Sequence, residues 1–307
     1  MHFHTSKAAV ITLATLFACP AAYAYTPERA GFTIEFDGLV SDLNILSATV
    51  MPGETLRIIT EGYAAGENLS PDTNAWTWQA PSTPGHSRVT FEKNGETITL
   101  NIFILTPFEN GVQKNLNGYK IGTYAKRPFK GLENYKAPRG FIALDENLSN
   151  TKISPHFTLG QFICKQQPGH NPTYLLIQPE TLVKLEYLLD NANTKGWNAD
   201  SFHVMSGYRT PWYNASIGNK TTSSRHLFGG AADIWLDGDG DGKMDDLNGD
   251  GRVNKDDARE LAKLANTLAA KGGRNWPAGG VGVYGSNSAH GPFVHIDARG
   301  YKARWGH

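Results

Sequence analysis

The segment "SRHLFGGAADI", Ser224 to Ile234, sets a histidine seven residues before an aspartate in a run of glycine and alanine. A second histidine, His295, stands in "FVHIDA" near the C-terminus. Two imidazoles and a carboxylate, His226, Asp233 and His295, make a donor set suited to Zn2+. Three protein ligands leave a fourth position for water, whose pKa zinc lowers to about 7, so hydroxide is available at neutral pH. Taken singly, each residue reads more simply as an ordinary core or surface side chain, and spacing alone leaves both readings open. "HID" at His295–Asp297 also fits the H-x-D pair of an iron(II) facial triad. That chemistry needs a distant histidine as well, and only His307 follows.

A different chemistry is written in "DGDGDGKMDDLNGDGRVNKDDA", between Asp233 and His295. Read from Asp246, the residues Asp246, Asn248, Asp250, Asn254 and Asp257 fall at loop positions one, three, five, nine and twelve of an EF-hand, with Gly251 at six. Arg252 supplies its backbone carbonyl at position seven. An earlier register, Asp237, Asp239, Asp241 and Asp245, is also good but ends on Asn248, a weaker ligand. The two overlap, so both cannot be ordinary EF-hands. Calcium bound within 237–257 is expected to brace the insertion beside the first site.

These residues need elements to hold them. "QPETLVKLEYLLDNANTKG" predicts a helix: Pro179 suits the first turn, Leu182, Leu185, Leu189 and Ala192 share a face, and Gly196 follows the end. "SFHVMSGYR" and "AADIWL" read as strands. "DDARELAKLANTLAAKG" reads as a second helix with an aspartate cap and a stop at Gly272-Gly273. "GGVGVYG" and "FVHIDA" are the last strands. Side chains alternate along a strand, so Val294 and Ile296 point into the core while Phe293, His295 and Asp297 share the opposite face. The fold class expected for residues 154–307 is α+β with a mostly antiparallel sheet and flanking helices. Residues 25–107 alternate apolar and polar between turn signals, among them Asn94-Gly95, and predict a small all-β, immunoglobulin-like domain. Residues 108–153 read as a connecting segment.

The chain of 307 residues carries 29 basic and 29 acidic side chains, which argues against a general nucleic-acid binder. Residues 1–24 combine Lys7, a short apolar run and "AYA", which is the pattern of a secretory signal peptide. The mature chain is then secreted or periplasmic; a lipoprotein anchor at Cys19 is the weaker alternative. No stretch is long enough to span a membrane. With Cys19 removed, Cys164 is left alone in an apolar setting, so it is expected to be an inert buried thiol without an internal or partner disulfide.

"SRHLFGGAADI" also matches S-x-H-x-x-G-x-A-x-D, and so resembles the zinc D-alanyl-D-alanine carboxypeptidase family, which shares a metal-site fold with lysostaphin-like and Hedgehog-type domains. "SGYRTPWYN", "GGVGVYG…FVHIDARGYKARW" and "SPHFTLGQFIC" resemble further segments of that family in the same order, across residues 154–307. The resemblance implies zinc held by His226, Asp233 and His295, with Arg209 steadying the substrate carbonyl or carboxylate. It departs from the family at one place. Many members set an acidic general base three residues before the last histidine ligand, and here stands Pro292. His290 and Asp297 are the remaining candidates for the base, and Asp297 is equally suited to orient an imidazole. The implied activity is hydrolysis of peptidoglycan stem peptides, as D,D-carboxypeptidase or endopeptidase. The alternative is a cell-wall-binding zinc module without turnover.

Overall fold

The computed structural model describes residues 25–306. The expected signal peptide, Cys19 and His307 lie outside the described residues. The first unit contains β1 (Arg29–Phe36), β2 (Leu39–Leu43), β3 (Ile45–Val50), β4 (Thr55–Thr60), β5 (Tyr63–Ala65), β6 (Leu69–Asp72), β7 (Ala75–Gln79), β8 (Gly85–Lys93) and β9 (Glu96–Ile104). They form a five-stranded sheet, β2-β1-β4-β7-β6, and a four-stranded sheet, β3-β9-β8-β5. Ile34, Ile58 and Trp78 from one sheet share a core with Phe91, Ile98, Leu100 and Ile102 from the other. The β8–β9 hairpin turns at Asn94-Gly95, both with positive φ, as a two-residue type I′ connection requires.

The second unit contains β10 (Gly140–Leu144), β11 (Thr173–Leu175), α1 (Pro179–Thr194), β12 (Phe202–Ser206), β13 (Ala231–Leu236), α2 (Lys255–Lys271), β14 (Gly280–Tyr284), β15 (Phe293–Asp297) and β16 (Ala303–Trp305). Its main sheet runs β12-β13-β15-β14-β16 and is antiparallel except for the β14–β16 pair. The class is α+β. Helices α1 and α2 pack on each other and on β14 and β15. Ile234, Val294 and Ile296 enter the core with Leu261 and Ala265 of α2, which leaves Asp233 and His295 on the opposite face. The segment 108–153 belongs to this unit's core: Leu116, Tyr119, Tyr124 and Phe141 are buried in it.

Two details differ from expectation. The cap of α2 is Asn254, whose side chain accepts from Asp256 N, and Asp257 returns the bond to the Asn254 amide in a capping box. Helix α1 is buried on more than one face. Besides Leu182, Leu185, Leu189 and Ala192, it buries Val183, Lys184 and Glu186, because the β unit covers its far side and takes Val183 into its own core. Arg29 fastens that contact, with ion pairs to Asp190 of α1 at 2.7 Å and to Asp42 at 2.6 Å. Glu186 accepts from Ser154 Oγ at 2.6 Å, His156 N at 2.8 Å and His156 Nδ1 at 2.7 Å, which satisfies a carboxylate that the helix pattern alone would leave facing apolar neighbours.

Lys184 is fully buried, with Nζ 2.7 Å from the Asp297 carbonyl and 4.8 Å from the Trp276 ring centroid. Burial pulls its pKa down to about 7 against the opposing pull of the Asp297 carboxylate. Between that value and the unfolded lysine value the unfolded chain binds more protons, so stability rises with pH across this window. Replacing Lys184 with Met is expected to flatten the slope of unfolding free energy between pH 7.5 and about 9.5. Denaturant titrations at several pH values read that slope, and a slope unchanged by the substitution would contradict the assignment.

Candidate metal centre

Antiparallel pairing of β13 with β15 sets Asp233 directly opposite His295, close enough for their side chains to meet on one face. His226 reaches the same face from a 3-10 turn, Arg225–Phe228, that precedes β13. The turn closes at Gly229, with φ of 65°, where a Cβ would come within 2.5 Å of the Leu176 carbonyl group. Only glycine lets the backbone approach that closely, which explains the glycine pair in "HLFGGAAD". The turn is braced from behind. Arg225 is buried, donates to Gln178 Oε1 at 2.6 Å and to the Asn134 carbonyl, and lies 4.4 Å from the Tyr135 ring centroid.

Three acceptor atoms converge. His295 Nδ1 lies 2.8 Å from Asp233 Oδ1, His226 Nε2 lies 3.1 Å from His295 Nδ1, and His226 Nε2 lies 3.3 Å from Asp233 Oδ1. Metal bonds of about 2.0–2.1 Å in a tetrahedron separate neighbouring donor atoms by roughly 3.3–3.4 Å. The triangle therefore closes around a zinc-sized ion with little movement. The outer nitrogens fix the tautomers. His226 Nδ1 is 2.6 Å from the Gly207 carbonyl, which can only accept, so this nitrogen carries the proton and Nε2 presents a lone pair. His295 Nε2 is 2.9 Å from Asp297 Oδ2, so it carries the proton and Nδ1 presents a lone pair. Two lone pairs and a carboxylate aimed at one point repel one another unless a cation or a shared proton lies between them.

The electrostatics favour a neutral His226 and an ionised Asp233, and they favour the proton on His295. Burial lowers the His226 pKa and favours the neutral imidazole a metal requires. Burial alone would raise the Asp233 carboxyl, but attraction to and hydrogen bonds with His226 and His295 outweigh it and hold the group well below the usual carboxylate range. For His295, burial acts downward, and hydrogen bonds to Asp233 and Asp297 overcome it and raise the pKa. Among the described residues, His226, Asp233 and His295 form one of two groups whose ligand atoms all lie within 4.8 Å of one another.

Asp297 stands behind His295 and has no exposed surface. It also accepts from Gly280 N at 2.8 Å, Arg299 N at 3.0 Å and Arg299 Nε at 2.9 Å. With its oxygens taken, it orients an imidazole and does not stand where it could relay protons to a substrate. Arg209 follows β12, held by its amide on the His226 carbonyl at 3.0 Å. Its Nη2 is 3.6 Å from Asp233 Oδ2, and its Nε is buried without a hydrogen-bond partner. His290 does not join the ligand group. Its Nδ1 contacts the Gly291 carbonyl and its Nε2 contacts the Asn287 amide, both at 2.8 Å, and its ring packs edge-on against Phe293. Pro292 is buried.

Residues not singled out from sequence complete the surroundings. Trp305 of β16 lies 5.1 Å from His295, ring centroid to ring centroid, and donates to Tyr284 Oη at 2.8 Å. Tyr284 stacks on Phe293 at 4.5 Å. Tyr124 connects the Tyr208 hydroxyl, at 2.9 Å, to the Leu227 carbonyl, at 3.0 Å, beneath the His226 turn. Their only trace in the sequence is aromatic residues in unpatterned segments. Cys164 is buried, and burial pushes its thiol up to about 11, which fits an inert core residue.

The acidic insertion forms two successive loops. In the later one, Asp246 accepts from Gly249 N and Gly251 N and Asp250 accepts from Arg252 N, an EF-hand-like winding. Asp257, however, spends its oxygens on the amides of Leu247, Asn248 and Asn254. The carboxylates that gather within 4.8 Å of one another are Asp237, Asp239 and Asp245, from the earlier register. Asp237 Oδ1 is buried there with no hydrogen-bond partner. The convergence thus falls on the register ranked second from sequence, because the α2 cap competes for Asp257.

Comparison with known protein families, characterised proteins and solved structures yields no match. Among the described residues no helix is long and apolar enough to cross a membrane.

Asp297→Asn keeps the shape of the side chain but loses the charge that holds His295. Zinc affinity, read by competition with a chromophoric chelator, is expected to fall by about 10–100-fold. An unchanged affinity would contradict the orienting role of Asp297.

Proposed function

We propose that this chain is a zinc-dependent peptidase acting on peptidoglycan stem peptides after export from the cytoplasm. The observation that carries the reading is the convergence of His226 Nε2, Asp233 Oδ1 and His295 Nδ1, with each imidazole tautomer set by an outer hydrogen bond. When bound, zinc supplies a Lewis acid and a water acidified to a pKa of about 7. Asp297 holds His295 in its ligand tautomer, and the Gly207 carbonyl does the same for His226. Arg209 lines the cavity over the ligand set and its side chain keeps some exposure there, so its guanidinium can donate to the substrate carbonyl oxygen and stabilise the negative charge that develops there. His290 borders the cavity that also holds Arg209 and Asp233, and it is the proton acceptor once Asn287 releases Nε2. The choice of stem peptides as substrate rests on the resemblance of residues 154–307 to zinc D,D-carboxypeptidases.

The structural cation is calcium, held by Asp237, Asp239 and Asp245 with Asp241 and the later loop nearby, and the orphaned Asp237 Oδ1 supports it. Asp237 directly follows β13, so a cation there stiffens the strand that carries Asp233.

A second reading, a zinc module that binds cell wall without turnover, is favoured by one observation: a buried proline stands at position 292 and the Nε2 of His290 is already engaged. Mass spectrometry of muropeptides incubated with wild type and with His226→Ala separates the two. Expected is product release by wild type alone, from protein that carries about one equivalent of zinc together with calcium. Zinc-loaded wild type that releases nothing would sink the peptidase reading and leave the binding module.

A further inference from the structure

Strand register sets four residues in one row across the main sheet. Asp233 of β13 faces His295 of β15, His295 faces Gly282 of β14, and Gly282 faces Trp305 of β16. His295 and Trp305 are thus two strands apart, roughly 10 Å between backbones, with a residue that has no side chain between them. That gap lets the indole lie down across β14. A Cβ at Gly280 would come within 2.9 Å of the indole, and one at Gly282 closer still. The alternation in "GGVGVYG" then has a reason: Val281 and Val283 enter the core, and Gly280 and Gly282 form a bed for the indole on the other face. The Trp305 ring ends 5.1 Å from that of His295, centroid to centroid, and its Nε1 donates to Tyr284 Oη at 2.8 Å, which fixes its position along the strand.

The indole also covers a charge. The Arg299 guanidinium lies 5.0 Å from the Trp305 ring centroid and 5.7 Å from that of Tyr301. The same guanidinium donates to Asp297 Oδ2 through Nε at 2.9 Å, and that oxygen accepts from His295 Nε2 at 2.9 Å. An ion pair roofed by aromatic rings is screened less by water and salt than an open one, so it holds its geometry more firmly. We infer that Trp305 is a positioning residue for the metal centre. Laid in the gap that Gly282 leaves, it shields the Arg299–Asp297 pair and so keeps His295 in place as a zinc ligand. It acts on zinc only through those residues. The inference rests on the zinc reading of the site and does not depend on any hydrolytic activity. An indole that merely closed the edge of the sheet would add to the stability of the fold and leave metal affinity alone.

The test measures zinc affinity of the full chain by competition with a chromophoric chelator, at a temperature where circular dichroism shows each metal-free variant folded. Trp305→Ala is expected to bind zinc about tenfold more weakly, the low end for groups that hold a ligand from outside. Trp305→Phe restores an aromatic face and is expected to recover most of that loss. Gly282→Ala keeps Trp305 but fills its bed, and is expected to weaken zinc to a similar degree. Once the indole is gone the added methyl has room, so Gly282→Ala made in the Trp305→Ala background is expected to change affinity by less than about twofold. Wild-type affinity in Trp305→Ala, no recovery in Trp305→Phe, or equal losses from Gly282→Ala in both backgrounds would overturn the inference while leaving the zinc reading in place. A wild type that binds no zinc would end the zinc reading and the inference with it.

Discussion

The pairing of Asp233 with His295 across β13 and β15 is the constraint on which the rest of the site depends. Strand register fixes it: a slip of one residue in either strand would turn that strand's side chain toward the core beneath helices α1 and α2 and separate the pair. That register is held on both sides, by β12 against β13 and by β14 against β15. His226 is brought to the pair by a short turn, and its position is only as good as the packing behind the turn. Arg225, Tyr135, Tyr124 and Gln178 supply that packing with buried hydrogen bonds and ring contacts.

A line of buried polar groups runs behind the candidate metal centre. Asp297 connects His295 to the amides of Gly280 and Arg299. Its own carbonyl receives Lys184 from α1, and α1 is clamped on its far side by the β unit through Arg29 and Asp190. Buried groups of this kind are costly when one partner is lost. The β unit is thus joined by a continuous chain of packed and hydrogen-bonded groups to the strand that carries His295. A role for that unit in keeping the ligand strand in place follows from this connection, whatever surface it also presents.

The parts legible in the sequence are those set by local pattern. Alternation in "FVHIDA" separates Val294 and Ile296 from His295, and glycine after histidine in "HLFGG" marks a close backbone approach. The Asn94-Gly95 turn, both ends of α1 and the glycine stop of α2 are also readable, because turn and cap chemistry acts within a few residues; the start of α2 differs, capped by Asn254 and not by an aspartate. What escaped depends on distant chain segments. The full burial of α1 requires knowing that a second unit covers it. Alternation places Asp297 on the face of His295 but cannot tell front from behind, and only the contacts with Gly280 and Arg299 turn it into a positioning residue. The favoured cation register hinged on Asp257, a good ligand by spacing, which the capping box of α2 claims. Trp305 and Tyr124 had no periodic signal to betray them.

His226, Asp233 and His295 are proposed to share one divalent ion. X-ray absorption at the zinc edge of the loaded protein tests it most directly. Expected is a low-coordinate shell of nitrogen and oxygen at about 2.0–2.1 Å with imidazole outer-shell scattering, lost in His226→Ala. A shell of oxygen alone, or imidazole scattering that survives removal of His226 unchanged, would contradict it.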